Sequence, residues 1–149
     1  LAKHLTFYES YYLGSVFGRE PGWTLPWIED DSIWQGADMW ATPDESTGYL
    51  LDRYQAACAH ADATIAALEL ETPATVPWWQ EPKRNTTLGI LLTHMIAETS
   101  QHLGHADIIR EQIDGTTGSD TAEMGDTEWW QSFHDTIRAA AETFRDQPS

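Results

Sequence analysis

The sequence predicts an all-α protein of four antiparallel helices, with one long tryptophan-rich loop between the first two. Three observations carry that class. Apolar residues recur at spacings of three and four along most of the chain. No alternating β-branched run competes, and Thr75-Val76 is too short to count as a strand. Caps and breakers divide the pattern into helix-sized pieces. At 149 residues the chain suits a single domain with one hydrophobic core.

The first helix is expected from Leu1 to about Phe17, with Leu5, Tyr8, Tyr12 and Phe17 on one side. The stretch from Gly18 to Ala41 holds Pro21, Gly22, Pro26 and Gly36 together with Trp23, Trp27, Trp34 and Trp40. It is too long for a passive connection and too aromatic to lie free, so it reads as an ordered loop that packs on the body and walls a pocket. Thr42-Pro43-Asp44-Glu45 offers an N-cap, a proline at the first position and acids in the first turn. A second helix is therefore expected from there to near Glu71, ahead of Pro73. A loop with Pro73, Pro77, Pro82, Trp78 and Trp79 follows. Thr86 or Thr87 then caps the most regular helix, which carries Leu88, Leu91, Leu92, Met95, Ile96, Leu103, Ile108, Ile109 and Ile113 and stops at Gly115. Thr116-Thr117-Gly118-Ser119 reads as loop. The last helix is expected from about Thr127 to Phe144, with Trp129, Trp130, Phe133, Ile137 and Ala141 on its inner side.

Composition narrows the function classes. Eight Lys and Arg against 24 Asp and Glu leave a formal charge of −16, spread along the chain, which repels a phosphate backbone and argues against nucleic-acid binding. No apolar run approaches the roughly 18 residues of a membrane span. Leu1-Ala2-Lys3-His4 opens no secretory signal, and a single cysteine, Cys58, fits a reducing compartment, so a cytoplasmic location is expected. Cys58, among Ala56, Ala57, Ala59 and Ala61, has no Lys or Arg placed to activate it and reads as a small buried hydrophobe. His60 and His134 read as surface residues. No Gly-rich phosphate loop, serine nucleophile motif or zinc-finger cysteine spacing is present.

Three of the six histidines, His94, His102 and His105, share one helix with Glu98. At about 100° per residue, with His94 at 0°, Glu98 falls near 40°, His102 near 80° and His105 near 20°. All four occupy one stripe beside Leu91 and Met95, where desolvating them is costly unless they are paired or bind metal. Ligands on one helix converge from adjacent turns, so His94/Glu98, Glu98/His102 and His102/His105 are the available pairs. His94 and His102 are about 12 Å apart along the axis, too far to share an ion. A third ligand must come from elsewhere, and His4 is the evident candidate. Hydrogen-bonded or partly exposed imidazoles are the alternative.

Leu1-Ala2-Lys3-His4-Leu5 with Glu9 and Tyr12, followed by the run from His94-Met95-Ile96-Ala97-Glu98 through Thr99-Ser100-Gln101-His102-Leu103-Gly104-His105 to Glu111, resembles the DinB superfamily. The branch it is most similar to holds the metal-binding domains of mycothiol-dependent maleylpyruvate isomerases and related thiol S-transferases. The resemblance covers nearly the whole chain, including Trp129-Trp130. It implies a four-helix bundle of DinB type in which His4, Glu98 and His102 hold a divalent metal. Two imidazoles and a carboxylate suit zinc, with nickel, iron and manganese also compatible. His94 and His105 then flank the ligands, and Tyr8 and Tyr12, one and two turns beyond His4, reach the site or its pocket. Family members have a further helix ahead of the first ligand, so upstream residues, or a groove beside His4 covered by the last helix or a partner in a homodimer, are expected.

The implied function is a metal-dependent S-transferase or isomerase in which a low-molecular-weight thiol such as mycothiol attacks a small electrophile. A hydrolase using metal-bound water on the same three residues is one alternative. A non-enzymatic acidic helical binding protein is the other.

Overall fold

The computed structural model describes residues 1–116, 118, 125–143 and 145. Helix dominates them, as expected for an all-α protein of DinB-like type. The chain forms two compact units, Leu1–Gly104 and His105–Ser149.

In the first unit, α1 (Ala2–Tyr12) ends earlier than its apolar spacing suggests. Gly14 breaks it, and Ser15–Phe17 continues as a short 3-10 helix. A β-carbon on Gly14 would collide with the Ser10 carbonyl oxygen, so a larger residue fits this corner only if the backbone shifts. The tryptophan-rich stretch is ordered by local turns rather than extended loop: α2 (Pro26–Glu29) and 3-10 helices at Ser32–Gln35 and Ala37–Met39. Trp27 is 2% exposed, whereas Trp34 and Trp40 stand 69% and 58% exposed.

The second long helix, α3 (Thr47–Ala67), starts later than expected. Thr42 does not cap it; Ser46 does, accepting from the Tyr49 N–H at 3.1 Å. Glu45 is drawn away from the helix start because its carboxylate accepts from the Thr42 N–H and from buried Lys3 (both 2.8 Å). The helix stops at Ala67 rather than near Glu71. A small antiparallel hairpin, β1 (Pro73–Thr75) and β2 (Asn85–Thr87), replaces the expected loop, with Ala74 opposite Thr86. Strands this short leave no periodic signature. Thr86 and Thr87 both belong to β2, and the first N–H groups of α4 (Leu88–Asp114) donate to the Thr72 and Leu70 carbonyls (3.0 and 2.8 Å). That satisfies donors a helix start leaves open.

Tyr12, Leu13, Ala61, Ala74, Val76, Leu88, Leu91 and Met95 form the core. Full burial of Leu88 or Leu91 contributes about 1.5–3 kcal/mol each. Beyond Met95 the helix pattern overstates burial, because Ile96, Leu103, Ile108, Ile109 and Ile113 are exposed. A separate groove of about 400 Å³ includes Leu13, Cys58, Ile65, Leu92 and Met95 among its walls; His4, beside which an open groove was expected, is not among them. Gly115, at φ 72°, closes α4 as expected.

In the second unit, Asp126 caps α5 (Thr127–Thr143), its carboxylate accepting from the Trp129 N–H at 2.9 Å. The face expected to point inward is exposed at Trp129, Phe133, Ile137 and Ala141. Periodicity defines an apolar face but not a cover for it; here Trp129 stacks on Phe133, ring centroids 5.2 Å apart. Phe144, Thr117 and Ser119, named in the sequence reading, lie outside the described residues.

Candidate metal centre

The start of α1 buries two charged or polar neighbours, Lys3 and His4. Lys3 Nζ donates to Glu45 Oε2 (2.8 Å) and to the Trp40 carbonyl (3.1 Å), and sits 4.5 Å from the Trp27 ring centre. The ammonium is thus paired, hydrogen-bonded and over an aromatic face, which offsets much of its desolvation.

His4 is held differently. Its Nδ1 lies 2.6 Å from Asp38 Oδ2, and both residues are buried. A carboxylate can only accept, so Nδ1 carries a proton, and in the neutral imidazole the lone pair is then on Nε2. That Nε2 is buried and has no hydrogen-bond partner. It faces Glu98 Oε1 at 3.6 Å. On α4, one turn apart, Glu98 Oε1 and His102 Nε2 are 3.1 Å from each other. The His4 and His102 rings stand edge to face, centroids 4.6 Å apart.

One ligand atom from each of His4, Glu98 and His102 therefore lies within 4.8 Å of the other two. Two imidazole nitrogens and one carboxylate oxygen fit a divalent ion with a coordination position left open. The orphaned Nε2 supports that fit, since a buried nitrogen without a partner costs free energy unless something binds it.

Tyr8 belongs beside this group, its ring centroid 4.3 Å from His4. Burial, and then the charge of Glu98, push its hydroxyl up to about 12. Tyr12 and His94 lie in a neighbouring aromatic cluster: His94 packs on Tyr12 (5.1 Å) and Trp79 (5.0 Å). The Tyr12 hydroxyl accepts from the indole N–H groups of Trp78 (3.2 Å) and Trp79 (3.1 Å). Burial raises the Tyr12 hydroxyl, and those two hydrogen bonds act against the rise. His105 is exposed and is not one of the three converging residues.

Sequence reasoning missed Asp38, Lys3 and the pairing of Trp78 and Trp79 with Tyr12. Asp38 is one of several acids in its stretch, with Glu29, Asp30 and Asp31, and spacing gives no reason to prefer it. His60, expected at the surface, is half-buried, its Nε2 2.7 Å from the Arg19 carbonyl oxygen. Cys58 is half-buried, and burial pushes its thiol up, against a catalytic role. His134 is exposed, as expected.

The long loop walls a pocket, as expected: Trp27 and Trp40 line a cleft of about 480 Å³ with Lys3, Pro26, Glu45 and Tyr49. His4, Glu98 and His102 are not among its lining residues, although Lys3 adjoins His4 in the chain.

Residues 1–115 match the family model described as mycothiol-S-transferase. The chain belongs to that family, which is DinB-like. No curated protein and no solved structure matches it. The matched span contains His4, Glu98 and His102 and leaves α5 outside. Among the described residues, no helix is long and apolar enough to cross a membrane.

Proposed function

We propose that the protein is a metal-dependent thiol S-transferase of the mycothiol class, acting on a small electrophile, with His4, Glu98 and His102 holding a divalent ion, zinc for preference. The carrying observation is the convergence of those three side chains, with the buried Nε2 of His4 turned toward Glu98. A bound divalent ion would supply Lewis acidity that favours the deprotonated form of a thiol near neutral pH.

The chain's own residues do the rest. Asp38 holds the proton on His4 Nδ1, leaving Nε2 as the donor atom. Tyr8 keeps its hydroxyl proton across the physiological range and offers a hydrogen-bond donor beside His4. In the transfer, the thiol sulfur forms a bond to an electrophilic carbon. The displaced group leaves with its bonding pair and takes up the proton the thiol has lost. The cleft of Trp27, Trp40 and Tyr49 suits an apolar portion of the substrate. A cytoplasmic homodimer completes the reading.

Elemental analysis of the purified protein, with turnover of a generic electrophile in the presence and absence of mycothiol, tests it. One equivalent of metal and mycothiol-dependent consumption are expected. Metal-dependent but thiol-independent consumption would transfer the reading to hydrolysis, and a protein that binds no metal would overturn both. Trp40→Ala should weaken substrate binding with metal content and melting temperature unchanged; unaltered binding removes the cleft from the site.

A further inference from the structure

We infer that Asp38 is a positioning residue of this centre, fixing the His4 ring so that Nε2 rather than Nδ1 faces Glu98 and His102. The inference rests on the reading that His4, Glu98 and His102 hold a divalent metal.

The contact is long-range, joining residues 34 apart in sequence, so helix geometry alone does not produce it. Asp38 sits in the 3-10 turn Ala37–Met39, which follows Gly36 in the left-handed region at φ 79°. The same segment is fastened a second time, where Lys3 Nζ reaches the Trp40 carbonyl. Two consecutive residues of α1 thus each grip the loop, Lys3 at Trp40 and His4 at Asp38. A buried carboxylate is costly to maintain, and here its oxygen at 2.6 Å is spent on one imidazole nitrogen. An imidazole flips between two ring orientations and two tautomers; a charged acceptor on Nδ1 selects one of each. The opposite nitrogen is the buried atom without a partner, and it points at Glu98. Glu98 and His102 are already paired on α4, so the orientation of His4 decides whether a third ligand joins them.

The test is zinc affinity, measured on the full chain by competition with a chromogenic chelator, for the native protein and for Asp38→Asn, Asp38→Ala and Asp38→Glu. Asp38→Ala should weaken zinc binding by about 10–100-fold. Asp38→Asn keeps an acceptor oxygen without the charge and should fall between the two, while Asp38→Glu should recover part of the loss. A role confined to holding the loop would lower the melting temperature and leave zinc affinity alone. Native affinity in folded Asp38→Asn and Asp38→Ala overturns the positioning role. If Asp38→Ala does not fold, the nearly isosteric Asp38→Asn decides the matter. Failure of the native protein itself to bind zinc overturns the metal reading and this inference with it.

Discussion

Lys3 and His4 are neighbours on one helix, are buried to the same degree, and each anchors the same loop, yet their surroundings are completed differently. The Lys3 ammonium is closed off by a carboxylate, a carbonyl and an indole face. The His4 imidazole is satisfied on one nitrogen and left open on the other. Folding alone accounts for the first arrangement, because the ammonium finds its carboxylate, carbonyl and indole face within the chain. It does not account for the second. An open buried nitrogen turned toward a carboxylate and a second imidazole costs free energy unless something binds it.

Removing one of the converging side chains gives the largest expected separation of the two regions. His102→Ala should abolish stoichiometric metal binding, read by elemental analysis. The helical far-ultraviolet signal should stay native, since His102 lies on a half-buried stretch of α4 outside the core. Unchanged metal content would remove His102 from the ligand set and leave the two regions equivalent.

Lys3→Met should do the reverse. It leaves the Glu45 carboxylate and the Trp40 carbonyl without their ammonium partner on the wall of a cleft, and losing a hydrogen bond to a charged group costs about 1.5–3 kcal/mol. Urea unfolding should show that loss while metal stoichiometry holds. A variant as stable as the native protein would show that the pair only offsets its own desolvation.

Gly14→Ala is a smaller disturbance, away from both. The added methyl would meet the Ser10 carbonyl oxygen and the His60 imidazole, so the backbone at the end of α1 and the His60 side chain must give way. Overpacking of this kind costs about 1–3 kcal/mol, visible as a lower denaturation midpoint with native metal affinity. A native midpoint would mean that the corner relaxes freely.

These contrasts also show what could be read before the structure. Helical spacing made three candidate pairs on α4 legible, and the resemblance to the DinB superfamily singled out Glu98 and His102 among them. His4 was proposed from the sequence, and the structure brings it to that pair. Asp38 was not legible, since it reaches His4 through three short turns in a row that no periodicity encodes. The Thr42 cap failed for a related reason. Its acid, Glu45, has a stronger tertiary partner in Lys3, and Ser46 takes over the helix start. On α5 the pattern located the helix and its apolar face correctly, and only the burial of that face was misjudged.

The finest contrast between the two regions is their response to acid. Burial by itself would raise the Glu45 carboxyl, but hydrogen bonds from Lys3 Nζ and the Thr42 N–H outweigh it and hold the group below its ordinary 4.5. A carboxyl whose folded-state value is depressed stabilises the fold fully above its unfolded value. That stabilisation is lost as pH falls through the folded value, because the unfolded chain takes up the proton first. The Lys3–Glu45 pair should therefore contribute unchanged from neutrality down to about pH 5 and fade below about pH 4. Many other carboxylates titrate in the same range, so the informative quantity is the stability difference between the native protein and Lys3→Met. It should be constant near neutrality and shrink as the solution is acidified, measured by urea unfolding at several pH values. Parallel curves down to the lowest pH at which both proteins fold would show that Lys3 stabilises through its Trp40 and Trp27 contacts rather than through charge.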